Sequence, residues 1–179
     1  MSRLFVLTAL LASPVVLRAA PPAEAGPPEA FLAVVGGLAG SGFHVNTTLT
    51  DAGRPGYEAV QPCAGHWGFT EAHHAAMCTG VLGVWRTAIV SDAKVDGQWA
   101  VQEFWALAYG DSARAAEAAR AMDDTTFNKH PFLQWSSGRF VFALEGRFRF
   151  PTPRRQLGQK IDALLARVAP RLVRPPRFD

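Results

Sequence analysis

The densest set of side chains capable of chemistry lies between residues 66 and 78 of this 179-residue chain. His73 and Met77 are four residues apart, so on a helix they would project from one face. Imidazole and thioether together suit copper in an oxidising compartment, whereas zinc would prefer a third histidine or a carboxylate. The segment is therefore a candidate copper or zinc site, with His66, His73, His74 and Met77 as its ligands.

The same segment also has a purely structural interpretation. Met77 would then belong to the core together with Trp67 and Phe69, while the histidines would lie on the surface. The sequence contains no paired Cys-x-x-Cys spacing, which the stronger zinc-binding patterns use. Metal binding is thus an alternative hypothesis for this segment.

A second set of candidates lies on two strand-like runs joined by the hairpin signal Asp96-Gly97. Aligning the runs about this turn places Arg86, Glu103 and Trp105 on one face of the predicted sheet. That face is largely apolar, so burial would raise the pKa of Glu103 and make it a candidate acid or ligand anchor. Arg86 could bind an anion, or it could stack on a tryptophan and pair with a carboxylate. We treat these three residues as a possible ligand-binding set.

Two strings resemble catalytic motifs without their necessary context. Ser91 to Lys94 matches Ser-x-x-Lys, but it closes a strand-like run and no Lys-Thr-Gly follows. The glycine-rich stretch 36–42 lacks the Gly-Lys-Ser/Thr of a phosphate loop and follows no strand. We therefore assign no catalytic residue and favour a non-enzyme. A small hydrolase or lyase using Glu103 with a histidine is a further alternative.

The start of the chain predicts export. Arg3 supplies a basic residue, residues 4–17 are almost wholly apolar, and small residues at 23–25 offer a cleavage site. A membrane-spanning helix needs about 20 apolar residues, which this run does not reach. The pattern predicts a signal peptide at 1–25 and a periplasmic or secreted mature protein.

Export changes the interpretation of the two cysteines. An oxidising compartment favours a disulfide, and Cys63 and Cys78 allow only one pairing. Such a bridge would tie down the irregular segment 51–80, which contains several glycines and prolines. The alternative is that the two thiols serve as metal ligands.

Composition and charge narrow the classes of function. The chain is 49% hydrophobic and 18% charged, which is too apolar for a disordered protein. The net charge of +3 conceals an asymmetry, because residues 26–138 carry an acidic excess and residues 139–179 a basic one. No nucleic-acid-binding motif accompanies the basic segment, so we expect no nucleic acid partner. At most, this segment would make weak electrostatic contact with an anionic membrane.

The periodicity of apolar residues predicts the elements. Helices are expected at 30–38, 113–122 and 152–170, and strands at 43–49, 81–90, 98–109, 132–135 and 139–144. Along the last strand, phenylalanines alternate with other residues, so one face is expected in the core and the other in water. This order implies an α+β fold: an antiparallel β-sheet of about four to five strands packed with two to three helices, and one disulfide. The predicted organisation is a signal at 1–25, a single domain at 26–170 and a basic flexible tail at 171–179.

These features favour an exported, non-enzymatic α+β domain that binds an unknown envelope protein or a small ligand and uses no cofactor. The hypothesis depends on the predicted disulfide, on an aromatic sheet and on the uneven charge distribution. A periplasmic copper- or zinc-binding protein that uses the histidine-rich segment is the alternative.

Overall fold

The computed structural model describes residues 26–46, 56–60, 77–123, 133–146 and 151–174. Within these ranges the chain forms three helices and six strands. They are α1 (Glu29–Gly37), β1 (Phe43–Val45), β2 (Glu58–Val60), β3 (Val81–Ser91), β4 (Val101–Tyr109), α2 (Ser112–Asp123), β5 (Leu133–Ser137), β6 (Phe140–Gly146) and α3 (Pro151–Val168). The predicted α+β class is confirmed.

The six strands form one antiparallel sheet in the order β1-β3-β4-β6-β5, and β2 also pairs with β3. Strand β1 pairs with residues 89–91 of the long strand β3, and β2 pairs with residues 84–86 of the same strand. The prediction of four to five strands is therefore too small. The extra strand is β2, which has only three residues and follows Gly56, whose φ is +73°. So short a strand leaves no periodic signal in a segment rich in glycine and proline.

The hairpin between β3 and β4 forms where the sequence predicts it. Asp96 and Gly97 have φ values of 50° and 74°, and Val95 and Gln98 exchange backbone hydrogen bonds across them. Two positive φ values are the signature of a type I′ turn, which suits the twist of paired strands. The register set by this turn would pair Val90 with Glu103. In the structure Val90 pairs with Val101, so the register is displaced by two residues. Because the displacement is even, the predicted partition of side chains between the two faces is retained.

Helices α1 and α3 cover one face of the sheet. Phe31 of α1 stacks on Phe104 of β4 with ring centroids 5.5 Å apart, and Phe104 stacks on Phe142 of β6 at 6.3 Å. The two helices also pack on each other, since a Cβ built on Gly37 would lie 2.6 Å from a methyl group of Leu164. This face holds the larger core.

Helix α2 covers part of the other face. The carboxylate of Asp111 accepts a hydrogen bond from the Arg114 backbone N–H at 2.8 Å and caps the first turn. Val141 and Ala143 of β6 are buried in the core on this side, together with small residues of α2. The expectation that this face of the strand would lie in water is therefore wrong. Periodicity along one strand cannot show that a helix from elsewhere in the chain covers its polar-looking side.

The final helix is buried along most of the apolar stripe that its helical spacing predicts, but Val168 at its end is 39% exposed. Leu157, Ile161 and Leu165 are fully buried, while Lys160 and Arg167 are exposed. No helix in the described part of the chain is long and apolar enough to span a membrane.

The start of the predicted tail is attached to the domain. Val173 exchanges two backbone hydrogen bonds with Ser136 of β5, at 2.8 and 3.0 Å. Arg174 donates to both carboxylate oxygens of Asp162, which also accepts a hydrogen bond from the indole of Trp135. Residues 171–174 are thus anchored, and residues 175–179 lie outside the described ranges.

Candidate functional site

Strand pairing brings the three predicted ligand-binding residues together. On β3, Arg86 lies directly opposite Glu58 of β2 on one side and Trp105 of β4 on the other. Its guanidinium carbon lies 5.4 Å from the centroid of the Trp105 ring, a cation–π contact. Its Nε donates a hydrogen bond to Oε1 of Glu58. Both structural partners expected for Arg86, a tryptophan and a carboxylate, are present.

Two more carboxyl groups stand beside this arginine. Glu103 of β4 lies directly opposite Glu145 of β6. The Arg86 Nη1 atom is 3.8 Å from Oε2 of Glu103, a distance that gives attraction without a hydrogen bond. We call Glu58, Arg86, Glu103, Trp105 and Glu145 the Arg86 cluster. It contains three carboxyl groups and one guanidinium, so it is negative overall when all of them are ionised.

The cluster lies at the margin of the core beneath α2. Trp105 is buried in that core with Leu107, Tyr109 and Val141. Two residues earlier on the same face of β4, the side chain of Glu103 is 40% exposed, and that of Arg86 is 39% exposed. Arg86 and Glu103 are therefore accessible from solvent, while the Trp105 side chain beside them is buried.

Glu145 is the group whose acidity the fold changes most within the cluster. Burial, and to a smaller extent the neighbouring Glu103, raise the pKa of its carboxyl to about 7, while Arg86 opposes the change. Near neutral pH this carboxyl is therefore close to half protonated. Glu145, which lies opposite Glu103, is a carboxyl that burial desolvates. The two carboxyls form a pair in which a proton or another cation relieves the repulsion.

The metal site predicted from the sequence falls mostly outside the described residues. This applies to His66, His73 and His74. Met77 is described, and its side chain is buried in the core beneath α2, where its carbonyl accepts a hydrogen bond from the Tyr109 hydroxyl. Within the described ranges no three His, Cys, Asp or Glu side chains are placed to hold a metal ion. The copper or zinc hypothesis stays a prediction.

The Ser-x-x-Lys string shows no catalytic geometry. The Ser91 hydroxyl donates to the Ala93 carbonyl at 2.7 Å and accepts from the Ala100 N–H at 3.2 Å. The ammonium of Lys94 lies over the Trp99 ring, 5.5 Å from its centroid. The hydroxyl is thus used in holding the hairpin together, and the lysine is used in a cation–π contact.

Sequence reasoning missed Glu58 and Glu145. Glu58 lies on the short strand β2, and Glu145 had been placed on a face expected to lie in water. Their positions follow only from the pairing of strands that are distant in sequence. No family model matches the chain, and neither a curated protein nor a solved structure matches it.

Proposed function

We propose that this chain is an exported, non-enzymatic binding domain, periplasmic or secreted, that holds a positively charged group at the Arg86 cluster. That group is the amine of a small ligand or the basic side chain of an envelope partner. The observation that carries the proposal is the excess of carboxyl groups, two of them facing each other, around one arginine at an accessible edge of a buried core.

The charge arrangement argues for a cation over an anion. Arg86 is the one cation of the cluster, and it is already held by Glu58 and attracted by Glu103. An anion would have to displace these carboxylates, whereas a cation placed between Glu103 and Glu145 would relieve their repulsion. Such a cation would also replace the proton that Glu145 carries near neutral pH, so binding and proton release would be coupled.

The cluster also lacks a serine or cysteine nucleophile paired with a histidine base. It holds no serine, cysteine or histidine, and the one histidine in the described ranges, His44, pairs with Asp92 at 2.6 Å. A nucleophile next to a general base is the usual signature of such an enzyme. Binding is accordingly the function that this geometry supports best.

Calorimetry with cadaverine, a small diamine, tests the proposal against 1,5-pentanediol, its neutral counterpart of similar size. We expect the diamine to bind at least about tenfold more tightly, a difference of about 1.4 kcal/mol. Titrations at pH 7 in phosphate and in Tris should differ in heat, because binding releases about half a proton from Glu145.

Two variants distinguish binding at the Arg86 cluster from non-specific attraction between the diamine and the negative charges of the protein. Glu145→Gln should weaken diamine binding about tenfold and abolish proton release, since the amide holds no exchangeable acid proton. Glu117→Gln removes one charge from an exposed position on α2 and should leave both unchanged. Diamine binding equal in all three proteins would overturn the proposal.

The Cys63–Cys78 bridge belongs to the same proposal, because it is expected only after export. Cys63 lies outside the described residues, and the described ranges contain no free cysteine. Purified mature protein, denatured and alkylated without a reductant, should show no added alkyl group by mass spectrometry. A mass increase for two alkylated cysteines would contradict the predicted disulfide.

A further inference from the structure

A cleft of about 430 Å³ lies on the sheet face opposite the Arg86 cluster. Its walls are the turn between α1 and β1, the region where β3 leads into the hairpin, and the first half of α3. The lining residues are Ser41, Gly42, Phe43, Ser91, Ala93, Val95, Pro153, Gln156, Gln159 and Lys160. This volume falls in the range of about 300–1,000 Å³ that is typical of small-molecule sites.

Polar side chains line part of the cleft. The Ser41 Oγ atom is buried and has no hydrogen-bond partner among the described residues. A buried hydroxyl without a partner costs free energy, so a group that reaches it is favoured. Within the described part of the chain, the side chains of Gln156, Gln159 and Lys160 form no hydrogen bond or ion pair. Four donor-bearing side chains thus line one concavity with their bonding capacity unused.

The charged and apolar residues that line the cleft indicate which class of ligand it would bind. Among the described residues that line the cleft, Lys160 is the one charged side chain and none is a carboxylate. Phe43, Val95 and Pro153 give it apolar surface against which a carbon chain can pack. The combination fits a molecule that has an anionic end for the ammonium, hydroxyl groups for the amides and the serine, and a carbon backbone between them.

From this arrangement we infer that the cleft is a second binding site, specific for a small hydroxy acid. Its carboxylate pairs with Lys160, and its hydroxyl groups hydrogen-bond to Gln156, Gln159 and Ser41. The site is independent of the cation site proposed above, because it lies on the other face of the sheet and has the opposite charge preference.

Gluconate and sorbitol test this inference, because both are six-carbon polyols of similar size and only gluconate carries a carboxylate. Calorimetric or NMR titration should show gluconate binding at least tenfold more tightly than sorbitol. Lys160→Gln should remove this preference. Arg155→Gln, which removes a charge from an exposed residue of α3 that does not line the cleft, should retain it.

A third variant tests the location without altering charge. Ala93 is exposed and lines the cleft, so Ala93→Phe should fill the space and reduce gluconate binding at least tenfold while the circular dichroism spectrum stays the same. The inference is overturned if gluconate does not bind at 10 mM, or if its affinity is unchanged by both Lys160→Gln and Ala93→Phe.

Discussion

Phe104→Ala is expected to lower the free energy of unfolding by about 3–5 kcal/mol, the range for deleting a buried aromatic ring. The Phe104 side chain is fully buried and stacks between Phe31 of α1 and Phe142 of β6. Its removal would leave a cavity where the first helix meets the centre of the sheet. Domains of this size are stable by only about 5–15 kcal/mol, so the variant loses a large part of its stability. Urea unfolding followed by circular dichroism measures the loss.

A matched control comes from the same strand. Val101 is 37% exposed, and Val101→Ala should cost no more than about 0.5 kcal/mol, as is usual for surface positions. Equal losses in the two variants would show that Phe104 is not at the centre of the core. The comparison also tests how side chains divide between the two faces of β4, since positions 101 and 104 point to opposite sides.

Much of the sheet could be predicted because its signals are local. The Asp96-Gly97 turn fixes the β3–β4 hairpin, and alternation along the two strands then determines which residues share a face. Helix α3 was equally predictable, since its apolar residues recur at helical spacing after a proline-rich start. In each case the sequence signal, whether a turn, an alternation or a helical spacing, lies in or next to the element that it predicts.

The errors arose where the structure depends on distant partners. β2 is recognisable as a strand only because β3 is long enough to pair with it, and three residues carry no periodicity of their own. Val141 and Ala143 were expected on a face exposed to water, but α2 packs there with its alanines and Met122. A sequence pattern reports the polarity of a residue, whereas burial also depends on which element the chain brings to that face.

The candidate site likewise contains residues that local patterns identify and others that only the pairing of distant strands brings there. Arg86, Glu103 and Trp105 were found from alternation within one hairpin, and the structure brings them together. Glu145 lies 42 residues after Glu103, and only the β4–β6 pairing places the two carboxyls opposite each other. The group with the most altered acidity in the cluster was therefore the one that local reasoning could not identify.

Glu145 is expected to make the protein less stable as the pH rises from 5 to 8. Burial, together with Glu103, raises the pKa of this carboxyl from 4.5 in its unperturbed state to about 7 in the folded protein. Between these two values the folded state binds more protons than the unfolded state. The contribution of Glu145 to stability is therefore fully present below about pH 4.5 and is lost as the pH rises through about 7. Allowing for partial exposure, the change is on the order of 2 kcal/mol.

The effect is measured as a difference between proteins, so that other titrating groups cancel. Urea unfolding of wild type and of Glu145→Gln at pH 5 and at pH 8 should show the variant gaining about 2 kcal/mol relative to wild type at the higher pH. Glu117→Gln, at an exposed position, should show no such gain. A difference between wild type and Glu145→Gln that does not change with pH would mean that this carboxyl is not desolvated. Because a bound cation relieves the same repulsion, saturating cadaverine at pH 8 should stabilise wild type more than Glu145→Gln. One carboxyl group would then account for both the pH dependence of stability and the preference for a cation.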